Sequence, residues 1–80
     1  MSTFKGKRVL ITGGASGIGK IMGRMSLEKG ARQLVIWDIN ETNIAATVNE
    51  YKNIGKVAGY RVDVSDSKQV KEIAQKTISE

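Results

Sequence analysis

The sequence predicts an α/β fold in which three strands of a parallel sheet alternate with three helices. Three short apolar runs are each followed by a stretch whose apolar residues recur at helical spacing. The first two runs are continuous rather than alternating, which is typical of strands that are covered on both faces. Strands that alternate with helices of about 10–15 residues indicate βαβ units with right-handed crossovers. The expected order of elements is therefore βαβαβα.

The first strand leads into a glycine-rich turn and then into the first helix. The strand is predicted at Arg8 to Thr12, after a lead-in from Phe4 to Lys7. The helix is predicted from about Gly17 to Lys29, with Gly30 as a candidate C-cap because positive φ costs glycine little. Its helical spacing is carried by four apolar residues: Ile18, Ile21, Met22 and Met25.

The second unit repeats this plan. Its strand is expected at Gln33 to Asp38, around a continuous apolar run. Asn40 is the predicted N-cap of the following helix, and Gly55 is predicted to stop it. One face of this helix is expected to pack in the core, and it comprises Ile44, Val48, Tyr51 and Ile54.

The third unit completes the predicted sheet. Its strand is expected at Val57 to Val62, and Ser65 or Asp66 is expected to cap the last helix. The apolar side of that helix comprises Val70, Ile73, Ala74, Thr77 and Ile78. A doubly wound dinucleotide fold contains two such halves, and residues 1–80 are expected to form the first half, with strand order 3-2-1. The first strand would then lie at an open edge, which favours a homo-oligomer.

The glycine-rich turn has the properties of a phosphate-binding loop. Its glycines are spaced G-x-x-x-G-x-G, at Gly13, Gly17 and Gly19. Gly13 allows a tight turn, Gly17 allows a pyrophosphate to approach the backbone, and Gly19 allows the helix to pack close to the strand. The helix N-terminus adds N–H donors and a partial positive charge. A flexible loop without a ligand is the alternative, and the flanking strand and helix favour phosphate binding.

Asp38 is a candidate for binding the ribose of a dinucleotide. It ends the second strand, 19 residues after Gly19, close to the spacing at which an acidic residue binds the adenosine ribose. Its charge would repel a 2′-phosphate, and neither Ile39 nor Ser16 offers a compensating positive charge. The sequence therefore favours NAD over NADP. The simpler alternative is that Asp38 only starts a turn.

Asp63 is expected beside Asp38, because the carboxyl ends of parallel strands meet at one edge of the sheet. Its carboxylate would accept a hydrogen bond from the adenine amino group, and Val64 would cover the ring. The alternative is an ordinary loop aspartate near a helix cap.

The composition excludes several classes of function. The chain of 80 residues has neither cysteine nor histidine, which removes thiolate chemistry and the commonest metal ligand. No apolar run approaches the ~18 residues of a membrane span and the first residues do not resemble a signal peptide, so we expect a cytoplasmic protein. The net charge is +5, but the basic residues are scattered, and we expect no nucleic-acid partner.

These motifs together resemble the start of a short-chain dehydrogenase/reductase. The resemblance is carried by the turn from Thr12 to Gly19, by Trp37-Asp38 and by Asp63-Val64-Ser65-Asp66, in this order along the whole chain. It implies a Rossmann-type fold and an oxidoreductase that transfers a hydride between NAD and an alcohol or carbonyl substrate. It implies ribose binding by Asp38 and adenine binding by Asp63 and Val64. It also implies that five residues of the turn contact the dinucleotide phosphates: Gly13, Ser16, Gly17, Ile18 and Gly19.

The catalytic residues of that family cannot be placed in this chain. The resemblance implies an Asn-Ala-Gly stretch, a catalytic Ser and a Tyr-x-x-x-Lys pair, yet Tyr51 is followed at that offset by Gly55 and Tyr60 by Val64. We therefore expect no catalytic residue among residues 1–80, and no activity of this chain alone. A non-catalytic nucleotide-binding or assembly module of the same fold is the alternative function.

Two other motifs overlap the turn and fit less well. The stretch from Gly14 to Lys20 matches the G-x-x-x-x-G-K loop of nucleoside triphosphatases, but Ile21 stands where Mg²⁺ needs a hydroxyl. Ser16 follows Gly14 as in the nucleophile elbow G-x-S-x-G, but Ile18 replaces the second glycine.

Overall fold

The computed structural model describes residues 6–13 and 15–79, and side chains as far as Lys76. The strands are β1 (Arg8–Thr12), β2 (Gln33–Asp38) and β3 (Val57–Arg61), and the helices are α1 (Gly17–Glu28), α2 (Glu41–Tyr51) and α3 (Ser67–Ser79). Part of the predicted lead-in, Gly14, and the side chains of Thr77 and Ile78 lie outside the described residues.

The three strands form one parallel sheet in the order β1-β2-β3, as the sequence predicted. Leu10 pairs with Val35, and Ile36 pairs with Gly59, so β2 is the central strand. Parallel pairing requires α1 and α2 to cross back along the sheet, and it brings the carboxyl ends of all three strands to one edge.

Two apolar layers cover the two faces of β2, because successive side chains of a strand point in opposite directions. Leu34 and Ile36 pack with residues of α1 and α2, and Val35 and Trp37 pack on the side of α3. The first layer also contains Leu27, Ile44 and Tyr51, and the second contains Val62 with Val70, Ile73 and Ala74 packed against it. This two-sided burial explains the continuous apolar run of β2.

Two glycines allow the helices to approach the sheet closely. A Cβ added at Gly23 of α1 would lie 2.9 Å from Leu34 Cδ2, and one added at Gly59 of β3 would meet Ile44 Cγ2 of α2. Protein interiors are close-packed, so larger residues at these positions would push the helices outward.

The ends of α1 and α2 follow local backbone chemistry. Gly30 has a φ of +91° and donates to Leu27 O at 3.0 Å, so it helps to end α1 as expected. The C-cap residue is Lys29 rather than Gly30, and the helix ends at Glu28, one residue earlier than predicted. The Asn40 side chain accepts from Asn43 N–H at 2.9 Å, which confirms the predicted N-cap of α2.

Three details of the predicted elements were wrong. The α2 helix ends at Tyr51 rather than near Gly55, and beyond it the Ile54 N–H bonds to the carbonyl three residues back, at Tyr51, instead of four residues back as in an α-helix. Ile54 therefore lies beyond the helix and is 37% exposed, outside the core face predicted for it. The β3 strand ends at Arg61 rather than at Val62.

The apolar stripe that predicted α1 does not pack on the sheet. The buried residues of α1 are Gly23, Ser26 and Leu27. By contrast, Ile18 is 76% exposed and Met22 is 52% exposed. Together with Leu10 of β1, the exposed stripe forms what we call the edge patch: Leu10, Ile18, Ile21, Met22 and Met25.

Candidate functional site

The carboxyl ends of the three strands are joined by hydrogen bonds just beyond the sheet. The Gly13 N–H donates to Trp37 O at 2.7 Å, and the Val62 N–H donates to Asp38 O at 2.9 Å. The three chain segments therefore stay side by side, in the same order as the strands, for one residue beyond β1 and β3. The turn after β1 lies beside the end of β2. The segment after β3 lies on the other side of β2.

A cavity of about 350 Å³ lies at this edge. Four of the residues predicted for the site line it: Gly13, Asp38, Asp63 and Val64. Ser16, Gly17, Ile18 and Gly19 do not line it, and they lie instead at the start of α1. The sequence reasoning missed four further lining residues: Thr12, Trp37, Ile39 and Val62. Each of them is the immediate neighbour of a predicted residue, which is the signal that could have identified them.

Gly13 and Gly17 both have a left-handed backbone, with φ values of +70° and +55°. Apart from the chain neighbours and the backbone of α1, no atom of the described residues lies within 4 Å of a Cβ added at either position. A side chain there would be strained by its backbone rather than by its neighbours. It would also project into the open space beside the turn.

The N-terminus of α1 lacks a side-chain cap. Ser16 is the N-cap residue, but its hydroxyl makes no capping hydrogen bond, and the first turn contains no acidic residue. The other two helices begin differently, since Asn40 caps α2 and Asp66 Oδ1 accepts from Lys68 N–H at 3.0 Å at the start of α3. That contact also identifies Asp66, rather than Ser65, as the cap of α3. The first N–H groups of α1 are thus left for an acceptor from outside the helix.

Asp38 joins the end of β2 to the glycine-rich turn. Its Oδ2 accepts from the Ala15 N–H at 3.1 Å, and its Oδ1 accepts from the Asn40 N–H at 3.1 Å. The carboxylate is half-buried and is held by two backbone donors. Each oxygen has more than one acceptor site, so further donors can still bind.

Asp63 is held as an ionised carboxylate by its own loop. Its Oδ1 accepts from the Ser65 hydroxyl at 2.6 Å and from the Ser65 N–H at 2.9 Å. These two hydrogen bonds lower the pKa of the Asp63 carboxyl, and the bond from the Ser65 hydroxyl has the larger effect. Gln69 of α3 accepts from the Asp63 N–H at 3.1 Å, which ties this loop to the helix. The neighbouring Val64 side chain is 63% exposed beside the cavity.

Tyr51 has a structural role, because its hydroxyl connects two helices. Its hydroxyl donates to Lys20 O at 2.9 Å, which joins α2 to α1, and an ion pair of 3.3 Å links Lys20 to Glu50 beside it. Burial, followed by the charge of Glu50, raises the pKa of Tyr51.

Within residues 6–13 and 15–79, no group of three or more acidic, histidine or cysteine side chains is arranged to hold a metal ion. None of the helices in the same ranges has the length and apolar character needed to cross a membrane. The acceptor-rich edge at Asp38 and Asp63 and the donor-rich start of α1 are polar features that this end of the sheet offers a ligand.

Comparison with known proteins identifies the family. A profile of the short chain dehydrogenase family matches residues 7–80. The 3-oxoacyl-(acyl-carrier-protein) reductase FabG of Thermotoga maritima is 38% identical over 76 residues, which cover 94% of this chain and 30% of FabG.

Solved structures agree with the sequence relatives. A short chain dehydrogenase/reductase from Burkholderia phymatum in complex with NAD superposes with a TM-score of 0.90 at 35% identity, over 99% of this chain and 28% of that one. The RhlG/NADP complex of Pseudomonas aeruginosa superposes with a TM-score of 0.82 at 29% identity, over 91% of this chain and 29% of that one. The chain thus spans less than a third of the length of each of these relatives. By the match of nearly its whole length, this chain belongs to the short-chain dehydrogenase family.

Proposed function

We propose that residues 1–80 form the N-terminal half of a dinucleotide-binding domain and hold the adenosine side of NAD in an oxidoreductase. The observation that carries this proposal is the shared cavity of Gly13, Asp38, Asp63 and Val64 at the carboxyl edge of the sheet. Ligands of open parallel sheets bind at this edge.

Each predicted residue has a role that its surroundings support. The carboxylate of Asp38 accepts from the ribose hydroxyls, while its two backbone donors keep it in place. The ionised carboxylate of Asp63 accepts from the adenine amino group, and the exposed side chain of Val64 covers the ring.

The pyrophosphate is assigned to the turn and the start of α1. The uncapped N-terminus of α1 supplies N–H donors and the positive end of the helix dipole. Gly13, Ser16 and Gly17 contribute backbone there, and Ile18 and Gly19 begin the helical turn that follows. The open space at Gly13 and Gly17 leaves room for the phosphates.

NAD is favoured over NADP by the charge at the ribose position. A 2′-phosphate would lie against the Asp38 carboxylate, and the following residue, Ile39, is apolar and exposed. The relatives include both an NAD complex and an NADP complex, so the preference rests on this chain's own residues.

The chemistry that NAD supplies when bound is hydride transfer to or from an alcohol or carbonyl substrate. Residues 1–80 contribute binding and orientation to that reaction. The sequence contains no Tyr-x-x-x-Lys pair, and the hydroxyl of Tyr51 is committed to the Lys20 carbonyl. A non-catalytic nucleotide-binding module is the alternative function. A Tyr-x-x-x-Lys pair in a longer reading frame would favour the oxidoreductase over this alternative.

Titration with NAD tests the binding proposal. Trp37 is the single tryptophan and lines the cavity, so its fluorescence should change saturably as NAD binds. We expect Asp63→Asn to weaken binding several-fold, because the amide offers one acceptor where the carboxylate offers two. Glu72→Gln makes the same chemical change on the exposed face of α3 and should have no effect. A protein that binds no NAD at any concentration tested would reject the proposal.

A further inference from the structure

Ala15 lies in the glycine-rich turn and is held at both its backbone N–H and its carbonyl. It is 4% exposed. Its N–H donates to Asp38 Oδ2 at 3.1 Å, and its carbonyl accepts from the Thr47 hydroxyl at 3.5 Å. The first contact comes from the end of β2 and the second from the middle of α2. Two separate elements therefore fix the turn directly before Ser16 and the start of α1.

Thr47 is an unusual residue for the core face of a helix. It is fully buried between Ile44 and Tyr51 along the face of α2 that packs on the sheet. Every buried side-chain nitrogen and oxygen of the described residues has a hydrogen-bond partner, and for the Thr47 hydroxyl that partner is Ala15 O. A buried hydroxyl without one would be destabilising.

Ser26 shows that this arrangement is not required by burial alone. Ser26 is also fully buried, but its hydroxyl donates at 2.8 Å to Gly23 O, one turn earlier in its own helix. Thr47 instead reaches across 32 residues of sequence to the turn. The branched side chain of threonine has few χ1 states in a helix, which makes it a stiff anchor.

We propose that Thr47 is a positioning residue of the nucleotide site, which holds the Ala15 carbonyl and so orders the turn before phosphate arrives. This inference rests on the proposed function. A turn that is ordered in advance costs less entropy when it binds. Thr47 has no ligand of its own, so its hold on Ala15 is independent of the bound nucleotide.

Two probes separate the turn from the rest of the site. ADP engages the adenine and ribose positions and the phosphate-binding turn, whereas adenosine lacks the phosphates. In Thr47→Val the shape is retained and the hydroxyl is lost. We expect the dissociation constant for ADP to rise about twofold to threefold, the lower end of the effect of one hydrogen bond because the 3.5 Å contact is long, with little change for adenosine. Thr47→Ser keeps the hydroxyl and should restore ADP binding.

Thr42→Val is the matched control, because Thr42 lies on the exposed side of the same helix. If Thr47→Val does not fold, Thr47→Ala carries the same expectation and gains helix propensity. Wild-type affinity for ADP in a folded Thr47 variant would overturn the inference. An equal loss for ADP and adenosine would also overturn it, since that result indicates a general structural role. A wild-type protein that binds neither probe would reject the proposed function, and the inference with it.

Discussion

The Asp38 carboxylate accepts a hydrogen bond from the Ala15 N–H at 3.1 Å, so the end of β2 is joined directly to the glycine-rich turn. The side chain proposed to bind ribose is therefore also part of what holds the phosphate-binding backbone. A substitution at Asp38 changes both functions at once. The effect of such a substitution on cofactor choice must therefore be measured as the ratio of the affinities for NAD and NADP, not from one affinity alone.

We predict tighter binding of NAD than of NADP, and a smaller difference in Asp38→Ala. The substitution removes a ribose acceptor for both cofactors, but it removes charge repulsion only for NADP. The dissociation constant for NADP divided by that for NAD should fall by about tenfold or more, because two like charges about 4 Å apart near a protein surface repel each other by roughly 1–4 kcal/mol. Calorimetric titration with each cofactor measures it. Glu41→Ala removes an equal charge at the start of α2 and should leave the ratio unchanged.

Gly17→Val should weaken NAD binding by about 2 kcal/mol or more, the scale of a charge-assisted hydrogen bond. Beyond the chain neighbours of Gly17 and the backbone of α1, a Cβ added at this position meets no atom within 4 Å, so we expect the loss of binding to come from blocking the phosphate. Its φ of +55° also strains a branched residue and lowers stability.

Gly6→Val provides the control for that strain. Gly6 has a φ of +73°, it also has open space around it, and it lies outside the site. Both variants should lose thermal stability, and only Gly17→Val should lose affinity. Unchanged NAD binding in folded Gly17→Val would show that the pyrophosphate is elsewhere.

Ser65→Ala should raise the pKa of Asp63 toward its ordinary value of 3.8, because the hydroxyl that donates at 2.6 Å is lost. A carboxyl whose pKa is lowered by folding stabilises the native state above its unfolded pKa. That stabilisation disappears as pH falls through the folded value. An NMR titration of the side-chain carboxyl carbon measures the shift. Ser67→Ala, two residues further on, should not move it, and an unchanged pKa in Ser65→Ala would contradict this assignment.

Sequence patterns predicted the elements well where local chemistry controls them. The bounds of β1 and β2, the Asn40 cap and the Gly30 terminus follow from apolar runs and capping preferences. Parallel topology alone predicted that Asp38 and Asp63 would meet at one edge, and both line the same cavity.

Contacts between distant residues could not be predicted in this way. Ala15 bonds to residues 23 and 32 positions away, and no periodic pattern encodes such pairs. The core face of α1 was missed for another reason. Its buried face contains Leu27 but otherwise consists of the small residues Gly23 and Ser26. The larger apolar residues Ile18 and Met22 are exposed. Hydrophobic spacing therefore identified the helix but not the side that packs.

The edge patch is the remaining surface with a testable consequence. It lies beside β1, which pairs with β2 and forms one end of the three-stranded sheet. A groove of about 240 Å³ runs between this strand and α1 and is lined by Val9, Leu10, Ile11, Met22, Met25 and Ser26. Unpaired strand edges beside apolar side chains favour pairing with another copy.

We therefore predict that the 80-residue chain self-associates at micromolar concentration, or is only marginally stable, and that it shows no dehydrogenase activity. Sedimentation velocity and a thermal melt measure the first two properties. Met25→Glu places a charge in the edge patch and should shift the protein toward monomer, whereas Ile54→Glu, at a partly exposed apolar residue outside the patch, should not. A monomer with a sharp transition above about 60 °C, high for a mesophilic domain, would show that the open edge of β1 causes neither self-association nor low stability.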